Sequence, residues 1–273
     1  MRAIAQSHPE IELSLLTLKT TGDRILDRPL DKIGGKGLFV RELDAALRDG
    51  RTDLTVHSCK DLPAEIPPDL PLAAFTRRED PRDALVLPQG ATELRGPIGC
   101  SSLRRRLQLE ALFPGVETLP VRGNVITRLE KLDRGEFGAL VLAAAGLKRL
   151  GLEGRICRYF TVDEMIPAAG QGILAVQCRA EMNTAFLDGV RDRDAAVCAL
   201  AERAYIRELD GGCSSPVAAH AVTDGETITI TGLYVDDTGH SSRKTVSGPA
   251  GQGEALARTL AKQLKEDTAW RAK

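Results

Sequence analysis

The residues best placed to do chemistry in this 273-residue chain are a cysteine, an acid and a set of arginines. Cys213 stands in Gly211-Gly212-Cys213-Ser214-Ser215-Pro216, between a helix-like run over 199–209 and a strand-like run over 217–222. Two preceding glycines free the backbone for turns, and Pro216 removes an amide donor and discourages a helix. A thiol on such a turn is expected to be exposed. Asp61 lies in His57-Ser58-Cys59-Lys60-Asp61-Leu62-Pro63, just after a short strand-like run. A carboxylate there can stabilise a developing cation or move a proton. Read alone, Asp61 is equally a turn or cap residue and Cys213 an incidental helix-end thiol. His57 and Cys59 read as strand residues with packing roles.

The cations gather at junctions. Gly99-Cys100-Ser101-Ser102-Leu103-Arg104-Arg105-Arg106 puts hydroxyls and free amides at a helix N-terminus, a place that favours an anion. Three arginines in that first turn oppose the helix dipole, and a bound anion would resolve the conflict. The plainer reading is a serine cap followed by solvated arginines. Arg122-Gly123-Asn124 and Arg128 repeat the theme at a second strand-to-helix junction. Arginine suits paired hydrogen bonds to carboxylates. Lys36, Arg77, Arg78, Arg82, Lys148 and Arg149 can add to the same field, or be simply solvated. The ligand so implied is compact and multiply anionic, with phosphates and carboxylates both suited. Neither GxxxxGK[ST] nor GxGxxG occurs, which counts against nucleotides.

The positioning elements follow from periodicity. Ile11, Leu13 and Leu15 alternate, so 10–20 reads as a strand, and 21–35 as a charged loop. A helix is predicted over 38–49, stopped by Gly50, and a strand over 52–58. Further strands are predicted at 96–100, 117–121, 139–144 and 173–178. Helices are predicted at 102–112 and from an Asn124 cap to Asp133. The alternation argues an α/β fold, with 139–144 apolar enough to be a covered parallel strand. The tail changes character: strands at 217–222, 227–235 and 242–246 are separated by Asp224-Gly225 and Thr238-Gly239 turns. A helix over 254–266, with Leu256, Leu260 and Leu264 in register, covers one sheet face.

Bulk properties narrow the class. Lys plus Arg is 37 and Asp plus Glu 38, a net charge of −1, where a nucleic-acid binder is usually far more basic. Six cysteines without CxxC spacing and four scattered histidines make no metal pattern and read as reduced thiols in a cytoplasmic protein. No apolar run approaches the roughly 20 residues of a membrane span, and no signal peptide is recognisable at the start.

The strings together resemble the porphobilinogen deaminase (hydroxymethylbilane synthase) family. The matching segments are Gly34–Phe39, His57–Pro63, Arg78–Ala84, Ser101–Arg105, Arg122–Leu129, Ala145–Gly151, Pro167–Gly172, and Glu202-Arg203 leading to Gly211-Gly212-Cys213. They run in the family's order over nearly the whole chain. The resemblance implies two domains like the halves of a periplasmic binding protein, with a small C-terminal α+β domain. The expected limits are 1–76 with 172–190, then 77–171, then 191–273. It implies a transferase of heme and tetrapyrrole biosynthesis, acting as a monomer without nucleic acid or membrane. Four porphobilinogen molecules are condensed in turn, with loss of ammonia, and water releases hydroxymethylbilane. It further implies a dipyrromethane cofactor on Cys213 through a thioether, self-assembled from substrate. Asp61 is the expected catalytic aspartate. Lys60, Ser58, Ser102, Arg104 and Arg105 are expected to hold cofactor, and Lys36, Ser101, Arg122, Arg128 and Arg149 substrate.

One departure matters. Family members begin with an Ile-Ala-Thr-Arg-x-Ser-like strand, whereas Met1–Pro9 here resembles the end of the helix that follows it. A truncated or misassigned start is the expectation. The alternative function is a catalytically defective protein that only binds an acidic ligand. Cys59 also stands where the family often has Met.

Overall fold

A computed structural model describes residues 1–18, 20–21, 40–210, 216–236 and 238–271. The chain opens with α1 (Arg2–Ser7) and α2 (Arg41–Arg48), then β1 (Leu54–Ser58) and β2 (Leu72–Phe75). Next come β3 (Asp83–Val86), β4 (Ile98–Gly99), α3 (Leu103–Leu112), β5 (Thr118–Leu119), α4 (Val125–Asp133), β6 (Ala139–Ala143), α5 (Ala144–Arg149) and β7 (Ile156–Tyr159). The last elements are β8 (Leu174–Cys178), α6 (Arg193–Glu208), β9 (Ala218–Thr223), β10 (Thr227–Val235), β11 (Ser241–Pro249) and α7 (Gly253–Arg271).

These elements build three sheets. In the first, β8 returns from late in the chain to lie between β1 and β2, antiparallel to both. The second has the order β5-β4-β6-β3-β7, with β4 parallel to β5 and β6, and β3 antiparallel to β6 and β7. Its centre is β6, where Ala139, Leu140, Val141 and Leu142 are all buried. A strand covered on both faces has no use for alternation, hence the unbroken apolar run. The third sheet, β11-β10-β9, is a meander. The helices α6 and α7 cover one face of it, closing a core of Cys198, Tyr205, Ile228, Ile230, Leu260 and Leu264. The fold is therefore mixed α/β with a small C-terminal α+β unit.

Local chemistry explains the boundaries. Asn124 caps α4 by accepting from the Thr127 amide at 2.9 Å. Asp192 caps α6 in the same way, through the Ala195 amide at 2.8 Å. The Asp224 carboxylate accepts from the amides of Glu226 and Thr227 and tightens the β9–β10 turn.

One expectation fails. Residues 10–18 and Thr20 form no strand, although Ile11 and Leu13 pack on the first core. Alternation buries one face of a segment, but a strand also needs a neighbour for its backbone groups, and none of the described strands pairs with it. Leu15 and Leu16 are exposed, as is Val56 on the edge strand β1. The expected loop over 21–35 lies outside the described residues except for Thr21. The expected helix over 38–49 is described from Arg41, because Leu38 and Phe39 also lie outside them.

Two extended segments, 76–82 and 167–173, cross between the first and second sheets. They touch backbone to backbone: Glu79 N donates to Gly172 O at 3.1 Å, and a side chain at Gly172 (φ +89°) would meet Glu79 O at 2.3 Å. The third unit grips both crossings through one fully buried carboxylate. Glu202 on α6 accepts from Arg78 Nη2 at 2.8 Å, from the Gly170 amide at 2.6 Å and from the Ala221 amide of β9 at 2.7 Å.

Candidate active site

The chemistry-bearing residues converge where the first and second sheets face each other. β1 ends at Ser58, and the chain turns through a single 3-10 turn, Cys59–Asp61. Cys59 points inward and is buried, so Lys60 and Asp61 are turned the other way, half-buried and exposed respectively. Opposite them, β6 runs directly into α5. A cleft of about 300 Å³ lies between, lined by Ser58, Lys60, Gly146, Arg149, Gln171 and neighbouring residues of both units. Lys60 Nζ donates to Gln171 Oε1 at 3.4 Å. Burial pulls the Lys60 pKa down to about 8, and Arg105 and Arg104 add to the pull, while Asp61 and Asp83 resist it.

The first arginine junction differs from its sequence-based expectation. Arg104 and Arg105 are buried, and the anion that resolves their conflict with the α3 dipole belongs to the protein itself. Asp83, the first residue of β3, is 0 % exposed. It lies 2.8 Å from Arg104 Nη2 and accepts from Arg105 Nε at 3.0 Å and Nη2 at 2.7 Å. Arg104 also donates to Ile166 O, and Arg105 to Val141 O. Burial alone would raise the Asp83 pKa, but the two guanidinium groups outweigh it and hold the carboxyl far below the usual range. Ser102 is the α3 N-cap residue but makes no capping bond with its side chain. Ser101 is committed to Val121, donating to its carbonyl at 2.6 Å and accepting from its amide at 2.9 Å, which ties β4 to β5.

The second junction is built differently. Arg128 on α4 donates to Gly123 O at 2.8 Å. Burial pulls its pKa down to about 10, and the charges of Arg105 and Arg122 push the same way. Asp61 opposes that shift and lies near enough to Arg105 to support its charge too. Arg122 is lowered by burial. Arg149 is exposed at the C-terminus of α5 and donates to Gly172 O at 2.6 Å.

Other cations expected to join this field are engaged elsewhere. Arg78 serves Glu202, Lys148 is 2.6 Å from Glu79, and Arg82 pairs with Asp80 at 2.7 Å while stacking on Tyr159. Cys213 and Lys36 lie outside the described residues. His57 and Cys59 are buried, His57 holding Thr55 at 2.9 Å. Burial raises the Cys59 thiol to about 11, away from nucleophilic use. Among the described residues no group of three or more His, Cys, Asp or Glu can hold a metal, and no helix is long and apolar enough to cross a membrane.

Sequence reasoning missed two residues at the centre of this arrangement, Asp83 and Gln171. The signal for Asp83 was an acid opening an otherwise apolar strand. The signal for Gln171 was a single amide between two glycines.

Comparison with known proteins agrees with this geometry. The family model described as "Porphobilinogen deaminase, dipyromethane cofactor binding domain" matches residues 1–186, and "Porphobilinogen deaminase, C-terminal domain" matches 196–266. A porphobilinogen deaminase of Acetivibrio thermocellus is 55% identical over 264 residues, spanning 96% of this chain and 90% of its own. One from Ruminiclostridium josui is 56% identical over 266 residues, spanning 97% and 91%. Among solved structures, the substrate-binding protein of an amino acid ABC transporter is 17% identical and covers 69% of this chain and 74% of its own, at a TM-score of 0.32. That likeness is too slight to add to the topology described above. By two family models and by long, high-identity alignments, the chain belongs to the porphobilinogen deaminase family.

Proposed function

We propose that this protein catalyses the stepwise condensation of four porphobilinogen molecules, with loss of ammonia, and releases hydroxymethylbilane. The observation that carries the reading is Asp61, exposed beside Lys60 at a cleft that Lys60 and Arg149 line, with Arg105 and Arg128 within reach of its charge. Porphobilinogen brings an acetate and a propionate, and the product chain accumulates more, so the cleft has the sign its cargo requires. Asp61 is positioned to accept pyrrole N–H groups and to stabilise the positive charge that spreads into the ring as ammonia departs. Arg122, Arg128, Arg149 and, outside the described residues, Lys36 hold substrate carboxylates, with Ser101 bracing the β4–β5 wall.

The donor set also fits dipyrromethane. Arg128 is crowded by Arg105 and Arg122, and a carboxylate placed there relieves the repulsion. Cys213 would carry the cofactor through its thiol, and Lys60, Ser58, Ser102, Arg104 and Arg105 would line its place. When bound, the cofactor supplies the pyrrole carbon to which the next unit is joined. Arg104 and Arg105 do this from within a paired cluster, so they shape the wall more than they reach from it.

We place the units at 1–76 with 172–190, 77–171 and 191–273, since each sheet falls within one of these spans. Cysteines that are mostly buried and unbridged support a reducing, cytoplasmic setting. A monomer is the simplest assembly that supplies every named residue. Intact mass of the purified protein tests the reading. A covalent dipyrromethane adduct, lost in Cys213→Ala with the melting temperature unchanged, is the expected result. An adduct that survives the substitution would move the attachment elsewhere, and no adduct with no consumption of porphobilinogen would leave only the binding-protein alternative.

A further inference from the structure

Asp83 does more than neutralise two arginines. A carboxylate with no solvent exposure is tolerated only when it is paired, and here its three partners come from two separate elements. Arg104 and Arg105 approach from the first turn of α3. The third donor is Gln171 of the second crossing segment, whose Nε2 gives one hydrogen bond to Asp83 Oδ1 at 2.9 Å and one to Pro81 O at 2.6 Å. Both of these partners can only accept. The Gln171 amide is therefore fixed in one orientation, nitrogen toward Asp83 and Pro81 and oxygen toward the cleft. Gln171 is 1 % exposed, so it has little room to turn otherwise. Its oxygen accepts from Lys60 Nζ at 3.4 Å. A continuous polar chain thus runs from Arg104 and Arg105 through Asp83 and Gln171 to Lys60, crossing from the second sheet unit to the first. Lys60 is the immediate neighbour of Asp61.

We propose that Asp83 is a positioning residue for the deaminase reaction: acting through Gln171 it fixes the Lys60 ammonium beside Asp61, and acting through Arg104 and Arg105 it fixes the facing wall. The inference rests on the deaminase reading of this cleft. Its physical content is preorganisation: the cations are aimed before any carboxylate arrives, so binding does not have to order them. Among the described residues, the charged groups that bear most on Lys60 are Asp61 on its own turn, Arg104 and Arg105 on α3, and Asp83 on β3. Removing either Asp83 or the Gln171 oxygen takes away support for the charged ammonium and leaves the two arginines acting against it.

Two variants test this, Asp83→Asn and Gln171→Met, each assayed as full-length enzyme beside wild type. Gln171→Met keeps both arginine–Asp83 contacts and removes the bridge from Asp83 and Pro81 to Lys60, so it decides the matter if Asp83→Asn does not fold. The measurements are the pH profile of kcat/KM, the split between KM and kcat, and the covalent adduct mass. In both folded variants the alkaline limb should move to lower pH, and KM should rise roughly tenfold, the size of one lost charged hydrogen bond. Asp83→Asn should also purify with a smaller fraction of adduct. A wild-type KM and an unmoved alkaline limb in Gln171→Met overturn the proposal. Lost activity with an unmoved limb overturns it as well, because Gln171 would then be acting on substrate directly. If wild type itself carries no adduct and consumes no porphobilinogen, the deaminase reading has failed instead.

Discussion

The two strand-to-helix junctions of the second sheet look alike in sequence and differ in physics. At the β4–α3 junction, Arg104 and Arg105 are buried and answered by a buried carboxylate. At the β5–α4 junction, Arg128 is half-buried near Arg105 and Arg122, and its pKa falls to about 10. The first junction is an ion cluster completed within the protein and contributes mainly to shape. The second sets like charges close together, which a ligand carboxylate would relieve. An arginine's burial therefore says little about its task until its counter-ion is found.

The comparison can be broken in several ways. The largest effect should come from Asp61→Asn, which removes the negative charge facing both junctions while keeping its shape. Turnover should fall on the order of 10²–10³-fold with pyrrole binding retained, as measured by single-turnover assays and adduct mass. A near-normal rate in fully loaded protein would remove Asp61 from the mechanism.

Arg105→Leu comes next, and its effect should be on folding. Asp83 would lose the partner that gives Oδ1 two hydrogen bonds while still buried, a loss of about 3–5 kcal/mol, readable as a lower denaturant midpoint. Arg128→Leu should give the opposite pattern, with an unchanged or slightly higher midpoint. Substrate or cofactor affinity should weaken by about 1.5–3 kcal/mol, and elongation should stall at an intermediate length. If the two variants behaved alike in both assays, the distinction between the junctions would collapse.

The smallest effect concerns Lys60. Its pKa of about 8 lies below the ordinary value of 10.5, so the folded site loses this charge as pH rises through about 8. Affinity for carboxylates should fall over that range, giving an alkaline limb in kcat/KM that disappears in Lys60→Met. Stability carries the other sign. The unfolded chain keeps the proton up to about 10.5, so between about 8 and 10.5 it binds more protons than the fold does, and the fold gains stability as pH rises. Melting curves across that interval check the sign.

How much of this was readable beforehand depends on the distance between partners. The caps at Asn124 and Asp192, the Asp224-Gly225 turn and the apolar run of β6 are set by residues close in sequence. The first, third and fourth were readable directly; the run that became α6 was seen only from residue 199. The arginine-rich start of α3 was also legible, but a bound anion was expected where the protein's own carboxylate serves. The identity of that anion was hidden because Asp83 reaches Arg105 only after β3 has paired with β6. Gln171 was hidden for the same reason, since 111 residues separate it from Lys60. The segment 10–20 misled because alternation reports which face is apolar and not whether a neighbouring strand exists.

Glu202 has a consequence for how the molecule comes apart. Its carboxylate is shared by both crossing segments and by β9, so no unit can detach without stranding a buried charge or a buried amide. The three sheets should therefore melt in one transition, not as beads on a string. In native-state hydrogen exchange, the amide protons of Gly170 and Ala221, 51 residues apart and on different units, should exchange together and only through global opening. Glu202→Gln should uncouple them, so that Ala221 exchanges through an opening confined to the C-terminal unit.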